Sequence, residues 1–172
     1  MAGNLSLVST TTVSSSVSEV ILTGLDDTKV YLYLISDVIP SNDGTYLGMR
    51  LTESGTANST TNYDYGAYYI RSNSSFVDLH NVNQSQLNIT NHTSGTGGQE
   101  SVNAEIMVTG HNRSNEYTMM IINSVNRDSG GNTYGTPTSG VFTVNSTVDG
   151  VRFGFNSGNI ASGKFSLYKV TE

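Results

Sequence analysis

The chain has 172 residues, among them 24 Ser, 21 Thr, 18 Asn and 18 Gly, with no Cys, no Trp and only 2 Pro. Charged residues make up 13%, against roughly 25% in ordinary soluble domains; 8 Lys+Arg against 14 Asp+Glu leave a net charge of −6. Without Cys there is neither a disulfide framework nor a thiolate zinc site, and the acidic balance argues against a nucleic-acid partner.

The size is that of one domain, and a chain of this length buries roughly 70% of its unfolded surface. An apolar content of 35% suits a thin core between two packed sheets. Low charge density, with apolar residues in short regular clusters, argues for an ordered chain. Met1–Leu7 carries no positive charge and no long apolar run, so no secretory signal is expected. The longest apolar stretch, Val30–Ile35, has six residues, far below the roughly 20 that span a bilayer. A soluble protein with no membrane partner is expected.

Residues 1–8 read as an N-terminal arm or a first edge strand, and residues 9–172 as a single β-sandwich domain. Val17–Leu22 is a strand candidate leading into a turn at Thr23–Asp27. Val30–Ser36 is nearly continuously apolar, which predicts a central strand covered on both faces. Ser41-Asn42-Asp43-Gly44 is a strong turn, because Asn and Gly accept the positive φ of tight hairpins. Thr45–Leu51 follows as a strand with Tyr46, Gly48 and Arg50 on one face and Leu47, Met49 and Leu51 on the other.

Thr52–Asn62 reads as a polar loop, Tyr63–Arg71 as a tyrosine-rich strand, and Phe76, Val77 and Leu79 as a short one. Asn81–Gln99 has little pattern beyond Leu87 and Ile89. Strands are predicted again at Val102–Thr109, Tyr117–Val125, Gly140–Ser146, Val151–Phe155 and Lys164–Val170, joined by loops at His111–Asn115, Arg127–Thr138, Thr147–Gly150 and Asn156–Gly163. No segment has helical periodicity. The expected fold is all-β, an antiparallel β-sandwich, with a jelly roll as the commonest plan at eight to eleven strands. No internal repeat or heptad suggests a propeller, solenoid or coiled-coil stalk.

Reaction chemistry has little foothold. His80, His92 and His111 share no ligand spacing, and His92 and His111 read as solvated loop histidines. No Ser stands in a G-x-S-x-G elbow. Glu53, Asp64, Asp78, Glu100, Glu105 and Glu116 are the candidate carboxylates, but sequence alone pairs none of them for glycoside hydrolysis. The glycine-rich Ser94–Gly98 and Gly130–Gly135 run into neither Gly-Lys-Ser/Thr nor a helix, so they are loops rather than phosphate cradles. No catalytic residue, cofactor or metal is expected, and the protein reads as a non-enzyme. Eight N-x-S/T sequons exceed only slightly the roughly five that this composition yields by chance.

Tyr63, Tyr65, Tyr68 and Tyr69, with Tyr46, concentrate half of the ten tyrosines. Tyrosine on a strand offers rigid amphipathic area to a protein partner or a sugar ring, or it packs the sandwich interior.

The opening Ser9–Ser16, then Val20-Ile21-Leu22-Thr23-Gly24-Leu25, Tyr31-Leu32-Tyr33, and the closing Ser157–Tyr168 resemble a family of small virion proteins of tailed phages of cyanobacteria and marine bacteria. The resemblance covers about 60 residues at the two ends. It implies a virion structural protein assembled in the host cytoplasm. Two roles fit: a capsid decoration (cement) protein, trimeric and bound to the major capsid protein, or a tail-fibre or tail-tip module that binds host surface polysaccharide. The short chain favours decoration. On that reading Asn4, Leu5, Leu7 and Val8 are expected to touch the capsid, and Tyr63, Tyr65, Tyr68 and Tyr69 to form a trimer or partner surface.

Overall fold

The computed structural model describes residues 4–26, 29–73, 76–113 and 115–171; Met1–Gly3 and Asp27, named above, lie outside that set. These residues form thirteen strands and no helix. In chain order they are β1 (Asn4–Val13), β2 (Val20–Thr23), β3 (Tyr31–Pro40), β4 (Leu47–Glu53), β5 (Thr56–Ala57), β6 (Tyr63–Arg71), β7 (Val77–Gln84), β8 (Leu87–Asn88), β9 (Val102–Thr109), β10 (Thr118–Arg127), β11 (Thr133–Phe142), β12 (Gly150–Phe155) and β13 (Ile160–Thr171).

All pairings are antiparallel. The large sheet has eight strands in the order β1-β13-β3-β9-β10-β11-β6-β7, and the small sheet runs β2-β12-β4-β5 with β8 also on β4. One core lies between them, so the fold is an all-β antiparallel sandwich. The eight-to-five division and the β9-β10-β11 meander give no support to the jelly-roll plan.

Rings interlock across the gap. Phe153 of β12 packs edge-on to Tyr33 of β3, with centroids 5.5 Å apart, and tilted on Phe165 of β13 at 5.3 Å. Within the large sheet, Tyr63 of β6 lies 4.9 Å from Phe142 of β11. Its hydroxyl donates to Asn58 O at 3.0 Å and accepts from Leu51 N at 3.0 Å, tying the two sheets together. A buried phenol needs such partners, and burial pushes its pKa up to about 12.

Residues 4–8 are the first half of an edge strand that runs on to Val13, paired with β13 along its length. Several expectations need correction. Val30–Ser36 lies in a central strand, but the chain covers only one side: Tyr31, Tyr33 and Ile35 are buried while Leu34 is exposed. Residues 133–138, read as part of the Arg127–Thr138 loop, open β11, a ten-residue strand whose inward positions are Tyr134, Thr136 and Thr138. Threonine's branched Cβ suits a strand, and its small polar side chain hid the alternation. β13 likewise begins at Ile160 rather than 164. The patternless 81–99 contains the end of β7, β8, and a strap in which Leu87, Ile89, Thr90 and Ser94 are fully buried. Backbone bonds from Ile89 and Thr90 to Leu47 O hold that strap.

Candidate interaction surfaces

The register of the large sheet aligns its outward side chains in rows. One row runs Leu7–Tyr168–Leu32–Met107–Ile121, each residue directly opposite the next on five adjacent strands, and continues through Ser139 and Gly66 to His80. Directly opposed Cβ atoms stand about 5 Å apart, so the five apolar side chains form one band. A second row beside it contains the pairs Leu5–Val170 and Thr109–Met119–Val141. Leu7 is 57% exposed, Met119 56% and Ile121 49%. No charge interrupts either band before Asp64, opposite Val141 on β6. Beyond Leu34 the face turns polar, with Glu105 and Asn123 hydrogen-bonded to each other at 2.9 Å.

Leu5 and Leu7 thus end the apolar rows, and Asn4 and Val8 lie beside them on β1. Val8 falls at the bulge between Leu7 and Ser9. Of the tyrosines, Tyr63 and Tyr65 are buried, which removes them as a partner surface: alternation turns both into the core. Tyr68 points outward and packs on exposed Phe76, centroids 4.9 Å apart. Tyr69 has the inward parity but lies at the sandwich end, edge-on to His92 and Tyr134 at 5.6 Å.

That end is closed by a polar cluster. His92 stacks flat on Tyr134, centroids 3.8 Å apart at 9°. Tyr134 donates to Asp128 Oδ2 at 2.8 Å, Asn132 N donates to Asp128 Oδ1 at 2.8 Å, and Arg71 stands 4.0 Å from the same carboxylate. Burial works to raise the Asp128 pKa, but the bonds from Asn132 and Tyr134 outweigh it and bring the carboxyl down to about 2. Desolvation pushes His92 below its ordinary value. These contacts staple the 89–95 strap to the β10–β11 hairpin. Both histidines lie between strands, as expected, but His92 is half-buried in a stack and His111 is buried edge-on against Tyr31 at 5.2 Å, which corrects the expectation that they are solvated. Among the described residues no group of three or more His, Cys, Asp or Glu could hold a metal ion, and no helix is long and apolar enough to cross a membrane.

The small sheet presents a different outer surface. Met49, Leu51 and Phe153 turn into the core, so the alternate residues of β4 and β12 face away from it. Arg50 is directly opposite Arg152, and Gly48 opposite Gly154; Asn88 of β8 flanks Gly48 on its other side. Tyr46 and Asn156 close the end, with Tyr46 N donating to Asn156 Oδ1 at 2.8 Å. Tyr46, Arg50, Asn88, Arg152 and Asn156 line a groove of about 540 Å³ together with Gln84, Ser85, Gln86, Tyr65 and Phe155. The sequence did place Tyr46, Gly48 and Arg50 on one face; that their neighbours are Arg152 and Gly154, a hundred residues on, is a long-range pairing that no local pattern encodes.

The residues missed by sequence reasoning are Leu32, Met107, Ile121, Met119 and Val141. Their signal was present, since β10 runs Met119-Met120-Ile121-Ile122 after its first residue, apolar on both parities. Comparison with protein-family models, with curated proteins and with solved structures finds no match, and none of these comparisons links the chain to phage structural proteins.

Proposed function

We propose that the protein is a non-enzymatic virion structural protein, a capsid decoration protein whose large sheet docks on the capsid shell. The observation that carries this reading is the pair of uncharged apolar rows on the outer face of that sheet. A strand apolar on both parities belongs where both faces are covered, and here the chain itself covers one. Exposed contiguous apolar surface of this kind marks an interface. The two rows, about five strands wide at about 4.8 Å and two outward positions deep at about 6.6 Å each, present on the order of 300 Å² of apolar surface, so a standard interface of about 800 Å² from each partner takes in the polar remainder of the face as well.

The virion setting, the major capsid protein as partner and the homotrimer come from the resemblance of the chain ends. Leu5 and Leu7 keep their assigned place at the capsid contact, as the edge of a larger surface that includes Met107, Met119 and Ile121. The test is co-sedimentation of the purified chain with parent particles lacking it. Wild type is expected to pellet with the particles and the Leu7→Asp/Ile121→Asp double variant to stay in solution. Equal pelleting of both would overturn the assignment. A tail module that binds host polysaccharide is the second reading, favoured by the arginine-lined groove on the opposite sheet.

A further inference from the structure

We propose that the groove on the outer face of the small sheet binds an acidic saccharide unit, its carboxylate between Arg50 and Arg152 and its hydroxyls on the surrounding amides. Like charges directly opposite each other on neighbouring strands are destabilising, so the Arg50–Arg152 pair calls for an anion. The chain supplies half of one. Arg152 Nε donates to Glu19 Oε2 at 2.9 Å, whereas Arg50 donates its Nε to Ser85 O at 2.9 Å and forms no ion pair among the described residues. Two guanidiniums and one carboxylate leave a single positive charge in a chain whose net charge is −6. That matches a carboxylate monoanion better than a phosphate dianion, and the surrounding negative field disfavours a polyphosphate backbone.

The floor is built for flat groups. Neither Gly48 nor Gly154 has a positive φ, so the backbone does not require glycine at either position. The space above each is filled by a side-chain end: a Cβ at 154 would stand 2.6 Å from Arg152 Cζ, and one at 48 would stand 2.5 Å from Gln86 Nε2, so either group would have to move aside. The Arg152 guanidinium therefore lies flat on the strand with its fork held in one plane, the geometry that grips a carboxylate bidentately. Beside it Gln86 Nε2 donates to Asn88 Oδ1 at 3.1 Å, fixing a second planar polar group. Amides both donate and accept, as vicinal hydroxyls require, and Tyr46 at the groove end offers a ring to a sugar face. The groove volume of about 540 Å³ falls among small-ligand sites, which run roughly 300–1,000 Å³.

The experiment titrates the isolated chain with trisaccharides of galacturonate, glucuronate and mannuronate, their neutral counterparts, acetate and sulfate, read by calorimetry and amide NMR shifts. At least one uronate trimer is expected to bind with a Kd on the order of 1 mM, shifting amides of β4, β8 and β12, with the neutral trimer at least about tenfold weaker. Arg50→Gln is expected to weaken binding about tenfold or more, and Arg50→Lys to recover only part, because it restores charge without the fork. Gly154→Ala is expected to weaken binding by lifting Arg152, with an unchanged melting temperature showing that the fold is intact. Glu19→Gln is expected to bind as tightly as wild type or tighter, since it frees Arg152. Binding by no uronate, equal binding of the neutral sugars, or indifference to Arg50→Gln would overturn the proposal. Acetate or sulfate binding as tightly as the best uronate would overturn the saccharide assignment. The isolated chain is used throughout, so failure here leaves the capsid reading standing.

Discussion

The two outer faces of the sandwich are made by the same alternation and end in opposite chemistry. On the large sheet Leu7, Tyr168, Leu32, Met107 and Ile121 line up across five strands. On the small sheet the equivalent outward row is arginine opposite arginine and glycine opposite glycine. Both faces back onto one core, so neither chemistry is needed to fold the chain. What an inward residue does is set by packing, and what an outward residue does has to be read from its neighbours across strands. The apolar face has the character of a surface that a large partner covers, and the arginine face that of a groove for a small polar one.

The sharpest way to break this comparison is to test inner against outer positions. Phe153 is fully buried between the sheets, and Phe153→Ala is expected to cost about 3–5 kcal/mol in denaturant unfolding. Ile121→Thr keeps strand propensity on an exposed site, so its unfolding free energy is expected to stay within about 0.5 kcal/mol of wild type while particle binding falls. A loss comparable to that of Phe153→Ala would mean that the outer row belongs to the folding core and is not a spare surface.

A second prediction concerns the polar end of the sandwich, which neither face explains. Asp128 sits at about 2 when folded, below the ordinary value of about 4. The folded state therefore binds this proton less readily, and the stabilisation is complete above pH 4 and lost as the pH falls toward 2. Asp128→Asn is expected to lower the melting temperature at pH 6 and to flatten its fall between pH 4 and pH 2. His92, held below its ordinary value by burial, adds a smaller effect of the same sign: stability is lost as the pH drops below the free-histidine value. His92→Phe preserves the stack on Tyr134 and is expected to remove that component in the same melting series. The smallest stability effect is expected at Gly154→Ala, within about 0.5 kcal/mol despite its expected loss of uronate binding.

Much of the sandwich was legible because its strands obey a period of two. Thr45–Leu51 was read with the correct faces, and Val102–Thr109 and Val151–Phe155 match β9 and β12 to within a residue. The failures have separate causes. In β11 the inward positions 136 and 138 are threonines, so burial left no apolar trace. In the 81–99 strap, order comes from bonds to Leu47 and Thr45 rather than from local pairing. The tyrosine cluster misled because Tyr63 and Tyr65 share a parity that points inward, and parity was legible while the side facing the core was not. The site residues were hardest. Leu7 and Ile121 are 114 positions apart, and only the register of β1, β13, β3, β9 and β10 makes them neighbours.

The most direct test of the central claim is cryo-electron microscopy of the parent virion with this chain in place. The account predicts density for the chain on the capsid shell, with Leu7, Leu32, Met107 and Ile121 turned into the contact and Arg50 and Arg152 facing solvent. Density at the tail, absence from the particle, or a shell contact made by the small sheet with the apolar rows left open would contradict it.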